Sequence, residues 1–201
     1  MKKNFQLLCD RELADIKARG EKPSLLLHSC CGPCSSYVLE YLSEYFNITI
    51  LFFNPNIYPD SEYLKRLDTQ REIVEKMQLE GCVEIMQCEY EHGEFLKSAT
   101  GLESEPEGGA RCSECFRLRL QKTAELAKKH CFDYFTTTLS VSPHKNSEIL
   151  NDIGQKLGKQ YGVRFLESDF KKRNGYKRSI ELSKQFDLYR QVYCGCEFSM
   201  R

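Results

Sequence analysis

Eleven cysteines in 201 residues are the side chains most able to do chemistry here, and seven of them are grouped. Cys30, Cys31 and Cys34 form C-C-x-x-C inside HSCCGPCSS; Cys112 and Cys115 form C-x-x-C; Cys194 and Cys196 form C-x-C. A C-x-x-C at a loop–helix junction aims two sulfurs at one point. Two such places supply four thiolates, enough for tetrahedral zinc or for an iron–sulfur cluster. Adjacent cysteines fit a compact zinc knuckle poorly but can reach two corners of a larger cube, so the spacing leans towards a 4Fe-4S cluster. The C-x-C pair can close into a small, strained and easily reduced disulfide; the plainer reading is an inert tail. Cys9, Cys82, Cys88 and Cys131 are isolated, and free cysteine ordinarily packs as a small hydrophobe.

The elements that must position these thiols follow from periodicity. The run Leu25-Leu26-Leu27 before the first cysteines reads as a strand, and Tyr37 to Tyr45 behind them as a helix. Thiols at a strand end and helix start meet orphan N–H groups and partial positive charge, which favour thiolate over thiol. Residues 48–53, 83–88, 134–139 and 163–166 read as further strands. Helices are expected over 4–19, 35–46, 60–79, 91–99, 114–130, 147–160 and about 178–187. Residues 54–59, 100–110 and 140–146 read as loops. Strand and helix alternate throughout, so the expected fold class is α/β: one domain spanning 1–201, with a mostly parallel sheet of about five strands flanked by helices. Residues 1–20 read as a helical extension and 170–201 as a segment that completes the active site.

Composition excludes several classes. Hydrophobic residues make up 41%, and Lys plus Arg equals Asp plus Glu at 29 each. The chain is therefore globular rather than disordered, and global charge does not announce a nucleic-acid binder. No stretch approaches the ~18–20 apolar residues of a membrane span, and the first residues lack the apolar core of a signal peptide. An odd cysteine count argues against a fully paired disulfide framework. These features point to a cytoplasmic protein with reduced thiols, where clustered cysteines mean metal or catalysis. Neither G-x-x-x-x-G-K-S/T nor G-x-G-x-x-G after a strand occurs, so no phosphate loop is expected.

A second group of residues could hold a substrate. Lys171-Lys172-Arg173-Asn174-Gly175-Tyr176-Lys177-Arg178 places five basic residues around an aromatic ring. It suits phosphate contacts with a stacking platform, or simply a solvated loop. His144, in SPHKN, is a candidate substrate contact or general acid. Asn54, Asn56 and Tyr58 follow a strand and are candidates to line the same crevice, or to be turn residues.

Taken together, HSCCGPCSS, FFNPNIYPDSEYLKR, ARCSECFRLRL, TTTLSVSPHKN and the stretch from DFKKRNGYKRS to YCGCEFS resemble the QueH-type epoxyqueuosine reductases, from about residue 24 to the end. The resemblance implies a HUP-like, Rossmann-like domain related to PP-loop ATPases, with cysteines in place of the nucleotide loop. It implies reduction of epoxyqueuosine to queuosine at the wobble position of tRNA, the last step of queuosine biosynthesis, with an external electron donor. It implies a 4Fe-4S cluster on Cys30, Cys31, Cys112 and Cys115, and a redox-active pair at Cys194 and Cys196. Cys34 matches the motif as well, and a ligand to an additional mononuclear iron is one use for it. The basic run, chiefly Lys171, Lys172 and Arg173, would hold the anticodon stem-loop, with Tyr176 or Tyr58 stacking on a base. The alternative is a zinc-binding RNA-interaction module without redox activity. A PP-loop-like ATP enzyme would need the missing loop, and a thiol–disulfide oxidoreductase using C-x-x-C alone would leave the other cysteines unexplained.

Overall fold

Asn4 opens the first helix, its side chain accepting from the Leu7 N–H, and Gly20 ends it. The computed structural model describes residues 3–200; residues 1, 2 and 201, which fall in the predicted 1–20 extension and the predicted tail, lie outside the described residues. In chain order the elements are α1 (Phe5–Arg19), β1 (Ser24–His28), α2 (Gly32–Leu42), β2 (Asn47–Phe52), α3 (Asp60–Lys76), β3 (Val83–Gln87), α4 (His92–Ala99), α5 (Ala110–Lys129), β4 (Tyr134–Thr137), α6 (Ser147–Tyr161), β5 (Arg164–Phe165) and α7 (Gly175–Gln185). A 3-10 turn follows β4 at Thr138–Val141, and another lies at Glu197–Ser199.

All five strands pair in parallel, in the order β3-β2-β1-β4-β5. A parallel sheet is covered on both faces, so its strands read as continuous apolar runs. Alternate residues divide between the two cores. Leu25, Leu27, Ile48 and Ile50 pack with Cys9, Leu13 and Ile16 of α1, Val38 and Leu42 of α2 and Leu182 of α7. Leu26, Leu51, Phe53 and Phe135 pack with Phe116, Leu120 and Ala124 of α5 and Leu150 and Leu157 of α6. The helical start of the chain is thus built into one core layer. No helix among the described residues is long and apolar enough to cross a membrane.

The strand order places β1 and β4 side by side while the chain proceeds from them in opposite directions. That is a topological switch point, where the loops at the carboxyl ends of two neighbouring strands part and leave a crevice. C-C-x-x-C leaves β1 there, and the 3-10 turn leaves β4 there.

Several boundaries differ from the sequence expectation. α2 begins at Gly32 rather than 35, with Pro33 pre-set for the first turn, so Cys34 is helical. α5 begins at Ala110 rather than 114, because the Glu105 carboxylate accepts the Ala110 N–H at 3.0 Å and supplies the cap from the preceding loop. Cys112 therefore sits inside the helix with Cys115 and not in a turn before it. The fourth strand stops at Thr137, whose hydroxyl accepts from the Leu139 N–H at 3.2 Å and winds the chain into the 3-10 turn. Among the isolated cysteines Cys9 is a core residue, but Cys82 and Cys131 are exposed and Cys88 is half-buried, so packing does not account for all four.

Candidate active site at the switch point

Three elements bring thiols to the crevice. At the end of β1, the Ser29 N–H continues the ladder to the Leu51 carbonyl at 2.9 Å, and the chain then turns sharply into α2. The turn is held by Ser29 Oγ on Gln70 Oε1 at 2.6 Å and by the Cys30 N–H on Thr138 Oγ1 at 3.4 Å. The Sγ atoms of Cys30, Cys31 and Cys34 lie within 4.8 Å of one another, with 3.7 Å between Cys30 and Cys31. Gly32 makes this turn possible, since a Cβ on it would stand 2.6 Å from the Thr69 carbonyl oxygen of α3.

From α5, Cys112 and Cys115 stand one turn apart on one face. Cys112 Sγ accepts the Gly108 N–H at 3.2 Å. Cys115 is buried with Phe95, Ala99 and Cys196, and Cys194 packs against that group.

The third element is the tail after α7, which lacks regular structure of any length and is fixed by side chains. Buried Arg66 of α3 donates to the carbonyls of Cys194 at 3.1 Å and Tyr193 at 3.3 Å, while Glu62 holds its Nε at 2.7 Å. The Gly195 carbonyl accepts the Tyr58 N–H at 2.8 Å. His92 links Glu197 and the Pro55 carbonyl, each at 2.7 Å. Gln191 Nε2 lies 3.0 Å from Cys31 Sγ.

These elements enclose a cavity of about 410 Å³, lined by Cys30, Cys34, Cys112, Cys115, Cys194 and Cys196, with the Cys31 sulfur 3.7 Å from that of Cys30. Exposed His144 and half-buried Tyr176 line it as well. Asn54, Tyr58, Lys171, Lys172 and Arg173 do not. Asn54 is buried and donates to the Ser29 carbonyl at 2.8 Å, tying β2 to β1. Tyr58 serves through its backbone and stacks its ring on His92. In the basic run, Lys171 pairs with Asp169 at 2.6 Å, Arg173 with Asp10 at 2.5 Å and Arg178 with Glu40 at 2.6 Å; Lys172 and Lys177 are exposed.

The thiols are electrostatically unequal. Hydrogen bonds from Cys31 and Cys34 hold Cys30 well below the usual thiol value, while the same bonds push Cys31 up to about 12 and Cys34 well up. The trio thus shares a thiolate centred on Cys30. In the tail, the hydrogen bond from Cys196 lowers Cys194 to about 5 and raises Cys196. Burial raises Cys115.

Sequence reasoning missed several cavity residues. Arg66, Arg119 and Gln191 line it; Asn56, one of the residues expected at the crevice, lines it too, buried and with an Oδ1 that has no hydrogen-bond partner among the described residues. Arg119 was legible in principle, because it follows Cys112 by seven residues and Cys115 by four and so shares their helix face. Arg66 and Gln191 reach the site only through tertiary contacts.

A thiol-lined crevice at the switch point of an all-parallel sheet defines an α/β protein with cysteine chemistry. Within that class, the family model for epoxyqueuosine reductase QueH matches residues 25–201, and the chain belongs to this family. It is 43% identical over 200 residues to epoxyqueuosine reductase QueH of Staphylococcus epidermidis, covering 98% of this chain and 84% of that one. It is 42% identical over 207 residues to that of Streptococcus pyogenes serotype M1, covering 100% and 81%. Among solved structures, the U34-tRNA thiolase NcsA from Methanococcus maripaludis with its 4Fe-4S cluster superposes with a TM-score of 0.56 at 13% identity, over 96% of this chain and 67% of that one. That likeness concerns the fold, and the expected α/β architecture with a parallel sheet is the one found.

Proposed function

We propose that this protein is an epoxyqueuosine reductase that acts on tRNA and depends on an iron–sulfur centre. The observation that carries the reading is the convergence of three separate cysteine motifs on one cavity, in a chain of the QueH family. Removing the epoxide oxygen takes two electrons and two protons, leaves an alkene and releases water. The residues suit that chemistry. The thiol set is soft and oxygen-free, which suits an iron–sulfur cluster or a thiolate zinc site. The buried Asn56 Oδ1 and Gln191 Oε1 have no partner among the described residues and are left as acceptors for donors on a bound substrate. Cys30, Cys31, Cys112 and Cys115 would hold a 4Fe-4S cluster, with Cys34 available to it or to an additional iron. Such a cluster, when bound, supplies electrons one at a time and a Lewis-acidic metal.

The chain's own groups complete the reaction. Cys194 and Cys196, reduced and with one proton between them, store two electrons and become a disulfide when they give these up; the second proton that leaves with the oxygen as water is drawn from solvent. An external donor then reduces that disulfide. Arg66 and the Tyr58 N–H fix the peptide that carries the pair, and the Glu197–His92 contact closes it over Cys115. Tyr176 and His144 line the cavity wall, and they would meet the modified base.

Iron and sulfide analysis with a visible spectrum, on protein purified without oxygen, tests this reading. About four irons and four sulfides per chain, with colour that bleaches on reduction, are expected. Colourless protein with stoichiometric zinc would overturn the reading.

A further inference from the structure

The positive charges around the thiol cavity are unevenly balanced. Arg66 has Glu62 at 2.7 Å, Lys145 has Glu107 at 3.5 Å, and Arg190 is exposed to water. Arg111 is buried but gives one Nη to the carbonyls of Leu102, Glu103 and Glu105, which makes it the strut of that loop. Arg119, like Arg111, has no carboxylate partner among the described residues, but it is not taken up as a loop strut. It is 4% exposed, and its Nε donates to the Cys115 carbonyl at 3.0 Å. Its guanidinium stands 5.7 Å from the Phe116 ring centroid. It lines the cavity with Cys30, Cys34 and Cys115.

A guanidinium does not lose its proton in proteins, and burying one without a counter-charge is strongly unfavourable. Among the described residues, the one carboxylate that lines the cavity, Glu107, is engaged by Lys145. The negative charge facing Arg119 is therefore carried by the thiolates of the cavity and by whatever they bind. A 4Fe-4S centre held by four thiolates is a net anion, and each electron it accepts adds a negative charge. A fixed positive charge beside it favours the reduced state most, because the interaction acts at short range in a low dielectric.

We infer that Arg119 is the buried counter-charge of a thiolate-bound iron–sulfur centre and raises its reduction potential. The inference rests on the iron–sulfur reading above. A tRNA phosphate is the less fitting anion, because Arg119 is buried beside the thiols while the exposed cations Lys172 and Lys177 lie elsewhere.

The test is a potentiometric titration of whole protein loaded without oxygen, as wild type, Arg119→Gln and Arg119→Lys, with iron and sulfide content and circular dichroism on each. Wild-type protein without an iron–sulfur centre would defeat the underlying reading and this inference with it. With the centre present, Arg119→Gln is expected to keep its iron and become harder to reduce by at least tenfold in the equilibrium constant, about 59 mV for a one-electron couple. Arg119→Lys should recover most of that loss. If Arg119→Gln sheds iron while Arg119→Lys holds it near the wild-type potential, the charge requirement also stands. Equal potentials in all three, equal iron loss in both variants, or weaker tRNA binding at unchanged potential would each overturn the inference.

Discussion

Cys194 and Cys196 share one proton unequally, because Cys196 donates its S–H and keeps Cys194 ionised. The ordinary thiol value is 9.0, whereas Cys194 is lowered to about 5. Its thiolate therefore persists as pH falls and is lost only below about 5. Iodoacetamide should label Cys194 at pH 6, and Cys196→Ala should move the labelling profile upward, as read by peptide mass spectrometry against pH. Identical profiles would refute the pairing. Gly195 adds a backbone constraint. Its φ is +100°, and a Cβ there would stand 2.9 Å from Arg66 Nη1 and 3.0 Å from Ile57. Gly195→Ala should lose about 1–2 kcal/mol of stability and cut turnover more than tenfold, by displacing the thiol pair. Wild-type turnover would show that the clasp is dispensable. The C-x-C motif was legible as a candidate redox pair, but Arg66, 128 positions before Cys194, carried no local signal.

At the scale of elements, α2 and α3 meet where Gly32 touches the Thr69 carbonyl at a notional Cβ distance of 2.6 Å. Gly32→Ala must push the helices apart and should cost about 1–3 kcal/mol, read from the denaturant midpoint, as overpacking does. An unchanged midpoint would mean the contact is soft. Hydrophobic period and Gly/Pro punctuation gave every strand and helix its place, since each strand presents an apolar run to the two cores and each helix an apolar stripe to a core or a smaller cluster. What they could not give were starts set by distant partners. The α5 start depends on a carboxylate five residues upstream, and the end of β4 depends on one hydroxyl turned onto its own backbone. The helix starts decide whether Cys34 and Cys112 lie on helices, and hence where their sulfurs aim.

For the molecule as a whole, equal counts of acidic and basic residues hide a local division of labour. The basic run read as a phosphate patch, yet Lys171, Arg173 and Arg178 are engaged by Asp169, Asp10 and Glu40. Sequence shows charges but not which are already neutralised. Reversing the charge at Lys172 and Lys177 should weaken tRNA binding and reduce the salt slope by about 1 for each phosphate no longer neutralised. Reversing Arg173 should act mainly through stability, by breaking its tie to α1. Equal salt slopes for wild type and the Lys172/Lys177 variant would remove this surface from the tRNA footprint. The central claim joins the thiol cavity to removal of one oxygen from epoxyqueuosine in tRNA. The most direct measurement is anaerobic turnover with epoxyqueuosine-bearing tRNA and a chemical reductant, followed by nucleoside mass spectrometry. The account predicts queuosine from iron-loaded wild-type protein and none from Cys194→Ser/Cys196→Ser at equal iron content. Intact epoxyqueuosine after incubation with the loaded wild type would contradict it.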